Sequence, residues 1–153
     1  MFYIPFWIYF TVVVILAGVT IHFRKLRFID IQIIIMVIAA AMTLDMLFCK
    51  YLELYSYVSV QHKGWYSLWA NLVICPAIGL IFIKFVPSDR LKVTFYIVFW
   101  VIALTLFELF VTKPFGIVIY PKWHIFPWST IGYIIVLIWE YAYFKILKKH
   151  IKS

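Results

Sequence analysis

The chain has 153 residues, of which 67% are hydrophobic and only 13% are charged, and it carries a formal net charge of +8. Soluble domains are typically about 45–50% apolar, so this composition excludes a soluble globular protein and predicts a single membrane domain over residues 1–153. The positive charge lies at the ends of the apolar stretches, where it orients helices and meets anionic lipid headgroups, so we expect no nucleic-acid partner.

Five apolar stretches, each of about 18–21 residues, are long enough to cross about 30 Å of hydrocarbon as helices. A lipid-exposed backbone has to satisfy its hydrogen bonds within each segment, and no alternating barrel pattern is present. We therefore expect an all-α integral membrane fold, a bundle of five transmembrane helices. The predicted spans are residues 3–22, 30–49, 66–86, 91–111 and 129–146.

The boundaries of the spans carry recognisable signals. The first span has no basic leader and no small-residue cleavage site, so it is predicted to be a retained helix rather than a signal peptide. Between spans three and four, Pro87 disfavours helix and Ser88 or Asp89 can cap the next helix, so these spans should be antiparallel neighbours. Ser129 or Thr130 is the expected cap of span five.

Lysine and arginine alternate between the two sides of the predicted bundle. Four lie on one side, Lys50, Lys63, Lys113 and Lys122, and ten lie on the other: Arg24, Lys25, Arg27, Lys84, Arg90, Lys92, Lys145, Lys148, Lys149 and Lys152. Because cytoplasmic ends of membrane helices are enriched in basic residues, we predict that the N-terminus is outside and the C-terminus is inside. The expected location is the plasma membrane.

Three acidic residues lie inside the predicted spans: Asp45, Glu108 and Glu140. A charged side chain at the bilayer centre costs about 2.5–3.5 kcal/mol on insertion scales, so such groups usually face a partner or a water-filled cavity. In the predicted orientation Asp45 and Glu108 share the outer half of the membrane. Glu140 lies somewhat below the middle and is a candidate relay.

Span three carries Ser67, Asn71, Cys75 and Gly79 at every fourth position, so they share one helix face. One interpretation is close helix packing, with the amide of Asn71 hydrogen-bonded across the interface. The other places Asn71 opposite one of the outer acids, in a polar pocket that opens outward.

Two long gaps, residues 50–65 and 112–128, lie on the outer side and are rich in aromatic residues. Rings at this level are typical of an interfacial belt, but the loops can instead fold over the helix ends, with Trp65, Tyr120 and Trp123 as a roof above the acids. His124 is either a solvated loop side chain or a proton donor beside Glu108, because histidine titrates in the physiological range.

Signatures of cofactor and catalytic sites are absent from the sequence. Cys49 and Cys75 form no CxxC pair, and there is no HExxH, P-loop or GxSxG motif, so we expect neither a metal nor a cofactor. An acid pair of Asp45 and Glu108 would be needed for an intramembrane aspartyl peptidase.

Several short motifs follow in order along the second half of the chain: Cys75-Pro76-Ala77, Phe85-Val86-Pro87, Glu108, and Tyr120-Pro121-Lys122-Trp123 ahead of Ser129. Over roughly the last 90 residues the chain resembles a group of small polytopic membrane proteins of spore-forming Gram-positive bacteria. That group shares an aromatic-Pro-Ala step, a Phe-Pro turn, a membrane glutamate and a Tyr-x-x-Trp loop; Cys75 and Val86 stand where it more typically has an aromatic residue. The resemblance implies one site containing Glu108, Tyr120 and Trp123, and it implies no reaction.

Three functions follow as hypotheses. The first is binding of a lipid, a small ligand or a partner subunit at an outward-facing cluster of Asp45, Asn71, Glu108 and His124 under the aromatic roof. The second is proton- or cation-coupled transport through Glu140 by a homo-oligomer, since five helices are few for a lone carrier. The third is a membrane enzyme acting at the outer surface. The lipid bilayer is a partner in all three.

Reporter fusions test the predicted orientation. A reporter fused after Ser153 should be active in the cytoplasm, and one inserted near His62 should be active outside, because the basic residues are concentrated on the side of the C-terminus. An external signal from the C-terminal fusion would contradict the five-span arrangement.

Overall fold

The computed structural model describes residues 3–58 and 64–151 of the chain. It contains five helices that are long and apolar enough to cross a membrane, as predicted: α1 (Ile4–Phe23), α2 (Phe28–Tyr51), α3 (Trp65–Lys84), α4 (Arg90–Thr112) and α5 (Ile125–His150). The reporter position near His62, together with Lys63, Lys152 and Ser153, lies outside the described residues.

Several of the approximate span bounds predicted from the sequence differ from the structure by a few residues. The prediction extended span three to residue 86, but α3 ends at Lys84, because Pro87 disfavours a helical conformation at the residue before it. The prediction ended span five at residue 146, but α5 continues to His150. The basic last turns do not stop this helix, since lysine can lay its aliphatic stem along apolar surface while its amine reaches water.

Helix α3 is the centre of the bundle. About 61% of its most apolar stretch is buried, against 17% in each of the other four helices. It packs against α1, α2 and α5, while α4 packs mainly on α5. The other helices therefore turn most of their apolar surface outward, as expected for contact with hydrocarbon.

The buried apolar side chains form two clusters. One joins α2, α3, α4 and α5 and includes Ile33, Phe82 and Leu137. The other joins α1, α3 and the loop after α4, and includes Phe6, Tyr66 and Ile117. Because α3 contributes to both clusters, its position fixes where the remaining helices can lie.

The two aromatic loops lie together at one end of the bundle. Strand β1 (Ser56–Tyr57) pairs antiparallel with strand β2 (Val118–Ile119), with Tyr57 opposite Val118. The Lys122 amide also donates to the Leu54 carbonyl at 3.2 Å. We call residues 52–58 and 113–124 the loop layer. Tyr3 ties it to the start of α1 by donating its hydroxyl to the Phe115 carbonyl.

An ion pair joins α2 to α3 at the opposite end of the bundle. Asp30 is fully buried, and its carboxylate accepts from the Lys84 ammonium at 2.5 Å and from the Arg27 guanidinium at 3.1 Å. Removing one partner of a buried pair typically costs about 3–5 kcal/mol, so this contact fixes the pairing of the two helices. The sequence analysis missed it, although antiparallel neighbours place the start of span two beside the end of span three.

Candidate functional site

Glu108 lies at the end of the α-helical part of α4 and is only 7% exposed. Three hydroxyl groups donate to its carboxylate. Tyr120 and Ser129 donate to Oε1 at 2.6 and 2.9 Å, and Tyr133 donates to Oε2 at 2.8 Å. No lysine, arginine or histidine in the described parts of the chain forms an ion pair with it. Among the described residues, its carboxyl group is therefore held by hydrogen bonds from hydroxyl groups and not by an ion pair.

This network connects the loop layer to the helices. Trp123 donates its indole N–H to Ser129 Oγ at 2.8 Å, and the Ser129 hydroxyl in turn donates to the carboxylate of Glu108. Burial and the Glu108 charge raise the pKa of Tyr120 well above its usual range, so its hydroxyl stays protonated and remains a donor at physiological pH. Linked hydrogen bonds of this kind strengthen one another in a low-dielectric interior.

Asp45 forms a second cluster, and no hydrogen bond joins it to the first within the described residues. Ser67 donates its hydroxyl to Asp45 Oδ2, and the Tyr55 hydroxyl lies 3.4 Å from Oδ1. The Asn71 amide donates to Ser67 Oγ at 3.3 Å, so Ser67 stands between Asn71 and the acid. Burial and then the Asp45 charge raise the pKa of Tyr55, which remains a donor for the same reason as Tyr120.

The polar side chains of both clusters lie where the helices leave regular α-geometry. A π-helical turn begins directly after Asp45 in α2 and at Glu108 in α4, and another, Ala70–Ile74, contains Asn71 in α3. In α5 the backbone is non-helical at Phe126, just before Ser129. Such turns rotate the side chains on either side of the extra residue, and they often occur at functional sites.

The predicted outer cluster of Asp45, Asn71, Glu108 and His124 is thus divided. Asp45 and Asn71 come together through Ser67, Glu108 has its own hydroxyl partners, and no hydrogen bond joins the two acids within the described residues. His124 is exposed in the loop layer and makes no hydrogen bond to Glu108.

Of the three predicted roof residues, Tyr120 and Trp123 belong to the Glu108 network and Trp65 does not. Trp65 is 57% exposed, and its ring packs on Trp69 at a centroid distance of 5.9 Å. It lies in the first turn of α3, where an amphipathic ring is typical of the interfacial belt. The Trp123 ring instead packs against Phe48 of α2 at 5.7 Å.

Glu140 lies apart from both clusters, on α5. It is 2% exposed, and its Oε1 has no hydrogen-bond partner among the described residues. It packs on Gly79 of α3, where a Cβ atom would lie 2.7 Å from that oxygen. The absence of a side chain at Gly79 is what makes room for the carboxyl group. Among the described residues no lysine or arginine forms an ion pair with it.

A cavity of about 370 Å³ opens in the loop layer beside the Glu108 network. Its wall contains two lysines and one histidine, Lys113, Lys122 and His124. The remaining lining residues are apolar or aromatic: Leu109, Tyr120, Pro121, Trp123, Ile125 and Phe126. No acidic residue is among these lining residues. We call it the loop cavity.

Sequence reasoning did not identify Ser67, Ser129, Tyr55 and Tyr133 as partners of the acids. The sequence analysis noted Ser67 for the polar face of span three, and Ser129 as a helix cap and as part of the motif series. A usable signal for Tyr133 is its position, four residues after Ser129 and hence on the same face of α5. The described residues contain no group of three His, Cys, Asp or Glu side chains that could hold a metal ion.

Comparison with known families, characterised proteins and solved structures returned no match to this chain. The resemblance to membrane proteins of spore-forming bacteria therefore stays a prediction, and function has to be argued from the geometry alone.

Replacing Glu108 separates its packing role from its charge. Glu108→Leu leaves the buried hydroxyl of Ser129 and the half-buried hydroxyls of Tyr120 and Tyr133 without their acceptor, and it should lower the free energy of unfolding by about 3 kcal/mol or more. Glu108→Gln keeps one acceptor oxygen and nearly the same shape, so its loss should be clearly smaller. Thermal unfolding in a neutral detergent measures both. Equal stability of Glu108→Leu and the unaltered protein would contradict the role assigned to the network.

Proposed function

We propose that this chain is a multi-pass plasma membrane protein, with its N-terminus outside and its C-terminus in the cytoplasm, that binds an anionic amphiphile in the loop cavity. The observation that carries the proposal is the composition of the cavity wall. Lys113, Lys122 and His124 supply donors and positive charge, while Leu109 and Phe126 offer apolar surface.

The position of the cavity supports an amphiphilic ligand. The loop cavity lies at the end of α4 and the start of α5, which is the level of the lipid headgroups in the proposed arrangement. An anionic headgroup would meet the lysines, and its acyl chain would continue along the apolar surface of the helices. Ligand sites of this kind combine mostly apolar walls with a few convergent polar groups.

The Glu108 network supports the proposal by holding the cavity in shape. Tyr120 and Trp123 line the cavity, and each is fixed from behind, Tyr120 by Glu108 and Trp123 by Ser129. A wall that is already ordered before the ligand arrives loses less entropy on binding. In this proposal Glu108 positions the wall and does not touch the ligand.

The loop cavity is tested with a brominated fatty acid and its methyl ester as probes, read by quenching of tryptophan fluorescence in neutral detergent. The acid should bind more tightly than the ester. Lys122→Gln should weaken binding of the acid by about fivefold, because one basic residue near an anionic group contributes about 1 kcal/mol to the binding free energy. Its binding of the ester should be unchanged.

Lys50→Gln is the matched control, because Lys50 is exposed at the same end of the bundle and does not line the cavity. Its affinity for the acid should equal that of the unaltered protein. Equal binding of acid and ester, or equal losses in the two variants, would reject the proposed site.

A second candidate function, proton-coupled transport by a homo-oligomer, is favoured by Glu140. A buried carboxyl group without a partner is expensive in a membrane and is characteristic of proton pathways. The polar face of α3 runs from Ser67, which is bonded to Asp45, to Gly79, which contacts Glu140. Cys75 lies between them on the same face of the helix. Glu108, whose partners lie elsewhere, is not part of this route.

Proton flux into vesicles under a pH gradient tests this second function. Glu140→Gln should reduce the flux of the reconstituted protein to the level of empty vesicles. Asp89→Asn, which also replaces a carboxylate by an amide but keeps the helix cap on Leu91, should leave the flux unchanged. If Glu140→Gln behaves like the unaltered protein, transport through this residue is ruled out.

A further inference from the structure

The end of the bundle opposite the loop layer contains a second, larger cavity of about 610 Å³. It is bordered by the α1–α2 turn, the turn after α3 and the last turns of α5. Of its thirteen lining residues, seven are lysine or arginine and none is acidic. We call it the basic cavity.

Three of these cations are already engaged by the protein. Lys84 and Arg27 bind the buried carboxylate of Asp30. Arg24 donates to the Lys84 carbonyl at 2.5 Å, and its guanidinium lies over the Phe85 ring. These contacts hold the rim of the cavity in place. A single acid, Asp30, is shared between Lys84 and Arg27.

The other four cations have no acidic partner in the described part of the chain. They are Lys25, Lys145, Lys148 and Lys149, and all four are exposed. The amines of Lys145 and Lys148 lie over the rings of Tyr141 and Phe144 of their own helix, at 5.7 and 5.8 Å from the ring centres. Four like charges around one cavity repel each other, and a multiply charged anion would relieve that repulsion.

We infer that the basic cavity binds a ligand carrying two phosphate groups. Each lysine acts as a point charge toward phosphate, and four of them around one opening can contact two phosphate groups at the same time. Ile83, Val86 and Phe144 add apolar surface between the charges. The same chemistry is offered by a two-phosphate lipid headgroup at the membrane surface and by free pyrophosphate. This site is independent of the loop cavity.

Binding is measured on the purified full chain in neutral detergent, by native mass spectrometry with cardiolipin, phosphatidylglycerol and phosphatidylcholine. Cardiolipin, which has two phosphates, should be retained most strongly and neutral phosphatidylcholine least. The Lys145→Gln/Lys149→Gln double variant should bind cardiolipin about 25-fold more weakly, because each lysine near an anionic group contributes about fivefold in affinity. Raising the salt concentration should reduce the difference.

The matched control is Arg90→Gln/Lys92→Gln, which removes two exposed positive charges beyond the turn after α3 without touching the cavity wall. It should retain cardiolipin nearly as well as the unaltered protein. Competition by inorganic pyrophosphate would identify a free anion as a ligand, and retention of cardiolipin in its presence would identify the lipid headgroup. Equal losses in the two double variants, or no preference for cardiolipin over phosphatidylcholine, would overturn the inference.

Discussion

The small, polar face of α3 is the feature on which the rest of the structure depends. Helices in lipid gain no hydrophobic energy by associating, so they are held by close packing and by hydrogen bonds between them. The polar face of α3 supplies both close packing and hydrogen bonds. Near one end Ser67 binds Asp45 of α2, and further along Gly79 admits Glu140 of α5. This explains why α3, which is less apolar than α1, α2 and α4, is the helix that becomes buried.

Three of the buried acids, Asp30, Glu108 and Glu140, lie in different environments, and each environment indicates a different role. Asp30 is paired with cations at the end of two helices, where it fixes their contact. Glu108 is surrounded by hydroxyl donors, an arrangement that stabilises the loop layer without requiring a cation. Glu140 has an oxygen without a partner in the described structure. Among the described residues nothing donates a hydrogen bond to that oxygen, and this is the observation behind the proposal of proton transport.

The two ends of the bundle differ in how their cavities are built. The loop cavity is shaped by a hydrogen-bonded network behind aromatic walls and has few charges. The basic cavity is shaped by an ion pair and surrounded by lysines that have no acidic partner in the described chain. The first favours a ligand recognised by its apolar part and one negative group. The second favours a ligand recognised mainly by its charge. Both cavities lie at helix ends, where lipid headgroups are expected.

The sequence by itself determined the five apolar helices, the acids within them and the polar face of α3. It did so because hydrocarbon permits few backbone structures, and because a length of about 20 apolar residues is hard to mistake. Which side chain meets each acid was decided only by the tertiary structure. Asp45 and Glu108 were expected in one cluster, yet the first bonds Ser67 and the second bonds Tyr133. The rotation of each helix about its axis sets these partners, and the π-helical turns at Asn71 and Glu108 change that rotation locally. Hydropathy and spacing describe a regular helix, so they contain no signal for where an extra residue enters a turn.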